Sequence, residues 1–541
     1  MKYSIKTSSG LKALAVAALL LTANGCAKYT ELEPLNNLSE TLAFSSPGNI
    51  ELSVNGVYQA ASVGEYEGGA GRGYPFGAAS TQQGEMRAED MVNVQAFYAF
   101  TYEGTYTTVT ANNKNHWEQL YALVNQANVM IQGVQGAAAN GIITEEVALG
   151  YEAEGRFLRA LAHHELLVYY CRPFADGNGD KPGVPYRTVA ITTGEAVEEN
   201  LGLGRGTVAE TYTNILSDLD FAETNLPATR GSSSLSISRA TKGAAIGLKT
   251  RVKLHQMDYP GVITEANKLG ATGATDFTSP IGNYTLEASP DAPFLSNSGN
   301  RESIFSVANS AVSNPGVNGA LANMFGASTA NPDASLAGGR DLIATSPILW
   351  NAPFWLDGDL RRTLLHIRQT RGSEGYRLVF STKYRSYGIF ADWAPVIRYA
   401  EVLLNASEAH ARTGSTAQGL NLLNAVRDRS VPEGASFGST APTDLIGAIL
   451  NERRIEFTAE GRRWPDLHRL AVDPTYSTGG VPAKIEFASL SGQASYNNIN
   501  PPVIEKKIVA IPYSDFRFIW PIPQSELLAN PTLADQQNPD Y

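Results

Sequence analysis

Apolar residues recur at three- and four-residue steps through long stretches of the chain, the period of a helix with one buried face. Between 116 and 134, Trp117, Leu120, Tyr121, Val124, Ala127, Asn128, Ile131 and Val134 fall on one stripe. A second helix is predicted over 145–171, carrying Phe157, Leu158, Leu161, Leu167 and Val168. Thr207-Val208-Ala209-Glu210 has the spacing of a capping box and opens a third, with Val208, Tyr212, Ile215, Leu219 and Ala222, that stops before Pro227. Ser238–Met257 forms another, rich in Ala and Gly, and three more are expected over 396–413, 416–430 and 442–461. Helices spaced this way predict stacked helix–turn–helix units, although the strict tetratricopeptide pattern is absent.

Two regions break the helical period. Residues 62–112 are rich in Gly, Tyr, Phe and Thr, and residues 270–356 in Ser, Asn, Gly, Ala and Pro. The first holds Tyr66, Tyr74, Phe76, Phe97, Tyr98, Phe100, Tyr102 and Tyr106, and the second ends in Trp350-Asn351-Ala352-Pro353-Phe354-Trp355. Aromatic residues at this density argue against disorder and predict long irregular loops with a few short strands.

The segment Asn451–Leu470, N-E-R-R-I-E-F-T-A-E-G-R-R-W-P-D-L-H-R-L, mixes a dense set of charges with Ile455, Phe457, Trp464 and Leu467. Such a segment is buried only if its charges pair, so Glu452, Glu456 and Glu460 are expected in an ion-pair network with the neighbouring arginines. The same is expected of Asp357, Asp359, Arg361 and Arg362. The segment resembles the E-R-R-x-E-x-x-x-E-G-x-R-x-x-D-L-x-R signature of the SusD/RagB family. Ile397-Arg398-Tyr399-Ala400-Glu401-Val402-Leu403-Leu404-Asn405 resembles that family's R-Y-A-E-V-L-L-N helix. Pro521-Ile522-Pro523, Asn530-Pro531-Thr532-Leu533 and Gln537-Asn538-Pro539-Asp540-Tyr541 resemble its C-terminal ending. The resemblance is clear over 395–541 and looser over 110–260. It implies a mainly α SusD-like fold, a degenerate tetratricopeptide-like scaffold of helical pairs with ligand-side loops. It also implies a partner, a SusC-like TonB-dependent transporter of the outer membrane.

The N-terminus fits that picture. Lys2, Lys6 and Lys12 give a cationic start, and Leu11–Leu21 is apolar apart from Lys12, which suits a secretory leader and is too short to span a bilayer. Ala23-Asn24-Gly25-Cys26 then looks like a lipoprotein cleavage site, with Cys26 as the lipidated residue. The expected organisation is a signal peptide over 1–25, a lipidated tether over 26–40 and a single body over 41–541. That body divides into an N-terminal part to about 260 and a C-terminal part from about 270. A lipid anchor would hold the protein on the outer membrane, exposed at the cell surface.

Net charge is −11 over 541 residues, and it becomes more negative once the leader lysines are removed. Nucleic acid is therefore a poor partner. Of the two cysteines, only Cys171 remains in the body, so no internal disulfide is expected, and its apolar neighbours predict a buried thiol.

No catalytic motif stands up. His163-His164-Glu165 lacks the second His of a zinc helix, no G-x-S-x-G occurs, and Gly202-Leu203-Gly204-Arg205-Gly206 does not follow a strand. Asp176-Gly177-Asn178-Gly179-Asp180 imitates the start of a calcium loop, but Lys181 stands where such a loop needs Gly. No cofactor, metal or catalytic residue is expected.

The remaining chemistry is recognition: sugar rings stack on aromatic faces while amides and charged groups take their hydroxyls. The candidate ligand residues are Tyr66, Tyr74, Phe76, Tyr98, Trp350, Trp355 and Asn351. The expected function is non-enzymatic capture of an oligo- or polysaccharide and its delivery to the transporter. The alternatives are a peptide-capturing RagB-like lipoprotein, a surface glycoside hydrolase and a purely structural subunit of the transporter. Trp117, Trp464 and Trp520 are expected in the core.

Overall fold

The structure is a computed structural model that describes residues 40–69, 71–329, 338–371 and 376–541. The leader, Cys26 and the tether up to residue 39 lie outside the described residues. Among the described residues no helix is long and apolar enough to cross a membrane.

The main elements in chain order are α1 (Pro47–Ser62), α2 (Ala78–Arg87), β1 (Met91–Asn93), α3 (Ala111–Ala139), α4 (Glu145–Tyr170), α5 (Val208–Asn225), α6 (Lys242–His255) and α7 (Tyr259–Lys268). They continue with β2 (Ser303–Val307), β3 (Ile343–Thr345), β4 (His366–Arg371), β5 (Tyr376–Ser381), β6 (Ala394–Arg398), α8 (Tyr399–Arg412), α9 (Thr416–Arg427), α10 (Leu445–Glu456) and α11 (Arg463–Arg469). The scaffold is mainly α, as the periodicity predicts. Helices α3 and α4 form a hairpin, α5 packs on α4, α6 on α5, α7 on α6, and α8 joins that row and pairs with α9. The cap read from the sequence is made: Thr207 and Glu210 form the reciprocal box, and the structure adds a Thr144 hydroxyl that accepts from Val147 N–H at the start of α4.

Trp117, Leu120, Val124 and Val134 of α3 are buried against Phe157, Leu158, Leu161 and Leu167 of α4, with Cys171 buried at the end of α4. Trp464 and Trp520 are likewise buried. The C-terminal segment laces the scaffold shut. Trp520 N–H donates to Tyr169 O at 2.8 Å, and the Asn538 amide donates to Tyr170 O at 2.9 Å and Trp520 O at 2.7 Å. Arg205 donates to Asn538 Oδ1 at 2.8 Å. The Gly-rich loop before α5 thus carries an arginine that holds the chain's end.

Two helix boundaries differ from the periodicity. The helix expected over 238–257 is two: residues Ser233–Ser238 end at an extended Arg239, and α6 begins after Thr241. Thr241 accepts from Ala244 N–H there, a local side-chain bond that competes with a continuous helix. The helix expected over 442–461 stops at Glu456, because Ala459 (φ 64°) and Gly461 (φ 72°) take left-handed backbone before α11. Arg398 ends a strand rather than sitting inside a helix.

Sheet structure is limited to two-stranded pairings among the described residues, and one of them joins the two irregular regions. β1 pairs antiparallel with β3, Met91 opposite Thr345, which joins the 62–112 region to the 270–356 region. Gln82 of α2 adds a second tie, donating to Met324 O at 2.6 Å.

Candidate ligand-binding face

The first aromatic loop is built on the opening turns of α3. Residues Tyr66–Gly69 form a tight turn with Glu67 (φ 52°) and Gly68 (φ 69°) both left-handed. Three residues on one face of α3 hold it. Gln119 Oε1 accepts from Glu65 N–H at 2.8 Å, Asn115 Oδ1 accepts from Glu67 N–H at 3.0 Å, and Asn112 Oδ1 accepts from the Tyr66 hydroxyl at 3.4 Å. The Asn112 amide also donates to Phe97 O at 3.3 Å. One buried asparagine therefore positions both Tyr66 and the short helix that carries Phe97.

Tyr66 and Phe97 are half-buried, with ring centroids 6.5 Å apart. The Arg72 guanidinium lies 4.5 Å from the Tyr66 centroid and 4.8 Å from that of Phe97. Arg72 is itself half-buried and has no carboxylate partner among the described residues. Other arginines without a carboxylate partner, such as Arg87, Arg205 and Arg362, donate to backbone carbonyls instead. Phe100 is exposed nearby in sequence, and Arg340 is exposed with its guanidinium donating to Asn318 Oδ1 at 2.8 Å. Tyr98 feels the charges of both Arg72 and Arg340, so both cations lie in its neighbourhood. The face thus offers aromatic surface, a cation stacked on it and unspent N–H donors.

The other sequence candidates have different places. Tyr74 is 1% exposed beneath Tyr66, stacked parallel at 6.3 Å, and its hydroxyl accepts from Gln83 Nε2 at 3.1 Å. Tyr98 is fully buried with its ring edge-on to Phe97 at 4.7 Å, and Phe76 is buried in the main core. Trp350 (2% exposed) and Trp355 (1% exposed) pack against each other at 5.2 Å in a second core with Tyr496 and Phe380. Asn351 is buried beside them and donates to Ser495 O at 2.7 Å. Those six side chains present no open surface: hydrophobic burial has taken them inward as support for the loops. Tyr66 alone of the seven reaches the face. Phe97 and Arg72 complete it. Arg72, the one base amid the aromatic stretch from Tyr66 to Phe76 and flanked by Gly71 and Gly73, was the available signal.

The acids of the C-terminal signature are used in ion pairs. Arg361 contacts Asp359 (2.7 Å), Glu452 (2.5 Å) and Glu456 (3.1 Å); Arg398 contacts Glu456 (2.9 Å), Glu460 (2.7 Å) and Glu302; Arg429 contacts Glu302 (2.5 Å) and Glu456 (2.8 Å); Lys383 contacts Glu460 (2.6 Å). All are buried or nearly so. Although burial opposes ionisation, the surrounding Arg429, Arg398 and Arg361 charges hold Glu456 at about 2. Arg362 and Asp357 depart from the expectation: neither makes an ion pair among the described residues, Arg362 donating to carbonyls and exposed Asp357 accepting from the Asn498 amide. Glu85 is the opposite case, pushed up to about 8 by burial in spite of the Gly461 N–H it accepts. In the Asp176–Asp180 turn, Lys181 lies 3.9 Å from Asp176 and 3.6 Å from Asp180. A separate open groove of about 530 Å³ between residues 274–286 and α9 is lined by Asn421, Asn424, Asp428 and Leu286, with its one aromatic, Phe277, buried.

A family model described as the SusD family matches residues 374–541, and another described as "Starch-binding associating with outer membrane" matches residues 29–254. The chain belongs to the SusD-like family. SusD-like protein P2 of Formosa agariphila is 24% identical over 501 residues, spanning 84% of this chain and 89% of that protein. The crystal structure of a SusD superfamily protein from Bacteroides fragilis is 25% identical with a TM-score of 0.69, covering 90% of this chain and 99% of that one. A laminarin-binding SusD-like protein shares the fold at 20% identity and a TM-score of 0.65, covering 92% of this chain and all of its own.

Proposed function

We propose that this SusD-like protein is a non-enzymatic glycan-binding lipoprotein of the outer membrane. It captures an oligo- or polysaccharide at the cell surface and passes it to a SusC-like TonB-dependent transporter. The observation that carries the reading is the Arg72 guanidinium, without a carboxylate partner among the described residues, stacked on half-exposed Tyr66 and Phe97. A pyranose ring laid on that surface would bury its C–H face on the aromatics and accept from Arg72 through its ring and hydroxyl oxygens. The starch-binding description of the model over 29–254, the half that contains this face, and the laminarin ligand of a structural neighbour support the same class. In this reading residues 41–541 form one body, the helical rows supply a rigid base, and lipidated Cys26 leashes it to the membrane. The signature acids serve folding, since each is committed to arginine or lysine.

The test is isothermal titration of the protein lacking its leader against a panel of neutral and acidic glycans and of peptides, with product analysis in the same tubes. Saturable binding of a glycan without cleavage is expected. Binding of peptides alone would move the ligand class, and released product would overturn the non-enzymatic reading. Pull-down from outer membranes of the producing organism is expected to bring down a TonB-dependent transporter.

A further inference from the structure

Beneath the loop of residues 485–507 lies a nest of polar atoms that the fold leaves without protein partners. Trp350, Trp355, Arg362, His366 and Asn351 are each at most 9% exposed. The Trp350–Trp355, Trp350–His366 and Trp355–His366 ring centroids are 5.2, 5.6 and 5.3 Å apart, and the Arg362 guanidinium lies 4.6 Å from both indole centroids. Yet Trp350 Nε1, Trp355 Nε1, Arg362 Nη1, His366 Nε2 and Asn351 Oδ1 all lack a hydrogen-bond partner among the described residues. Leaving one such group unsatisfied costs about 1–3 kcal/mol, so five in one place point to something that satisfies them.

The donor set says what that is. The indole N–H groups and the guanidinium can only donate. His366 Nδ1 lies 2.9 Å from Arg361 O, and a carbonyl only accepts, so Nδ1 carries the proton. Burial holds this histidine's pKa down at about 4, so the ring is neutral and Nε2 is an acceptor. Asn351 donates through Nδ2 to Ser495 O, which leaves Oδ1 as a second acceptor. Three donors and two acceptors do not suit a bare anion, which would face two lone pairs. They suit a group that both accepts and donates, an O–H.

The cover over the nest packs Ile485, Leu490 and Tyr496 into the second core and is tied by a few hydrogen bonds. The loop is closed at its base by the Lys484–Ile508 bridge, with backbone bonds of 2.9 and 3.1 Å. Its tip is tied by Asn351 to Ser495 O (2.7 Å), by the Tyr496 hydroxyl to Thr345 O (3.0 Å) and by Asn498 to Asp357 (3.0 Å). Ile499 and Val503 on its outer side are exposed.

We propose that the Trp350–Trp355–Arg362–His366 nest is a hydroxyl-binding site, filled by water under the closed loop and open to a polyol or sugar hydroxyl when the loop lifts. This stands apart from the Tyr66–Arg72–Phe97 face and does not depend on it.

The test uses the protein lacking its leader, crystallised to high resolution, with glucose as the polyol probe and bromide as the anion probe. An enclosed oxygen within hydrogen-bond distance of Trp350 Nε1, Trp355 Nε1 and His366 Nε2 is expected, replaced by a glucose hydroxyl on soaking. In solution, tryptophan fluorescence titration with glucose is expected to saturate. Trp355→Phe, which keeps the ring and removes the donor, should weaken glucose by about fivefold, the worth of one hydrogen bond. Tyr496→Phe, which removes one tie of the cover, should strengthen it. Arg72→Ala should leave it unchanged. A nest without density, a bromide peak at the three nitrogens, or a water that saturating glucose never displaces would each overturn the proposal.

Discussion

Arg398 and Glu456 meet at 2.9 Å with each side chain only 2% exposed, although they stand on β6 and α10 and are 58 residues apart. Arg398 also binds Glu460 and Glu302, so one guanidinium bridges three buried carboxylates whose remaining charge is met by Arg361, Arg429 and Lys383. Removing it leaves three buried carboxylates with too few cations between them, since only Arg361, Arg429 and Lys383 remain. Arg398→Ala is expected to destabilise the fold by about 3–5 kcal/mol, the cost of breaking a buried pair. Urea denaturation followed by circular dichroism measures it, and a loss under 1 kcal/mol would show the network to be dispensable.

The buried histidines give the protein a defined acid sensitivity. Burial lowers His163, His366 and His468 to about 4 and His116 to about 3. Between pH 6.5 and 4 the unfolded chain binds protons that the folded protein does not, so stability falls as pH falls through that window. The carboxylates held at about 2, such as Glu456, Asp466 and Glu401, add a second loss as pH drops from the usual carboxylate range toward 2. Glu85, raised to about 8, works in the opposite sense: its contribution is full below the unfolded value and is lost as pH rises through 8. Unfolding free energy measured from pH 8 to 5 is expected to drop by several kcal/mol on the acid side. A flat profile would show that the histidines are open to solvent.

Tyr98 tests the division between support and surface. It is fully buried and its hydroxyl has no partner among the described residues. Tyr98→Phe is expected to be neutral or to stabilise by about 1 kcal/mol, because it removes an unsatisfied buried group. Tyr98→Ala is expected to cost about 3–5 kcal/mol as a core cavity. Thermal melts of the two variants distinguish this from a ligand-contacting tyrosine, whose loss would lower affinity while sparing stability.

How much of this was readable from the sequence depended on whether local pattern or distant packing decided the outcome. The stripe of Trp117, Leu120 and Val124 and the Thr207–Glu210 cap are set by residues within two turns, and both are present as expected. The Glu452–Glu456–Glu460 network was legible because such charges beside Trp464 admit no other buried state. The ligand loops were not. Tyr66 and Tyr74 are eight residues apart in one aromatic run, yet one is half-exposed and the other is its floor. That difference is made by Asn112, Asn115 and Gln119 of α3 and by the β1–β3 pairing, contacts that leave no period in the sequence.

Asn112 offers a test of positioning without ligand contact. It is buried and binds both the Tyr66 hydroxyl and Phe97 O. Asn112→Ala is expected to lower glycan affinity by about five- to tenfold through loss of about one hydrogen bond's worth of order. Asn112→Asp, which keeps the acceptor for Tyr66 and loses the donor to Phe97, should fall between it and the parent. Equal affinity in all three would show that the two loops are held by other means.

The most direct measurement of the central claim is the affinity of a bound glycan for the parent protein and for Arg72→Ala and Phe97→Ala, each checked for an unchanged melting temperature. The account predicts that either substitution weakens binding by about tenfold or more, as loss of a charged hydrogen-bond donor or an aromatic platform should. Undiminished affinity in both folded variants would contradict it and place the ligand elsewhere on the protein.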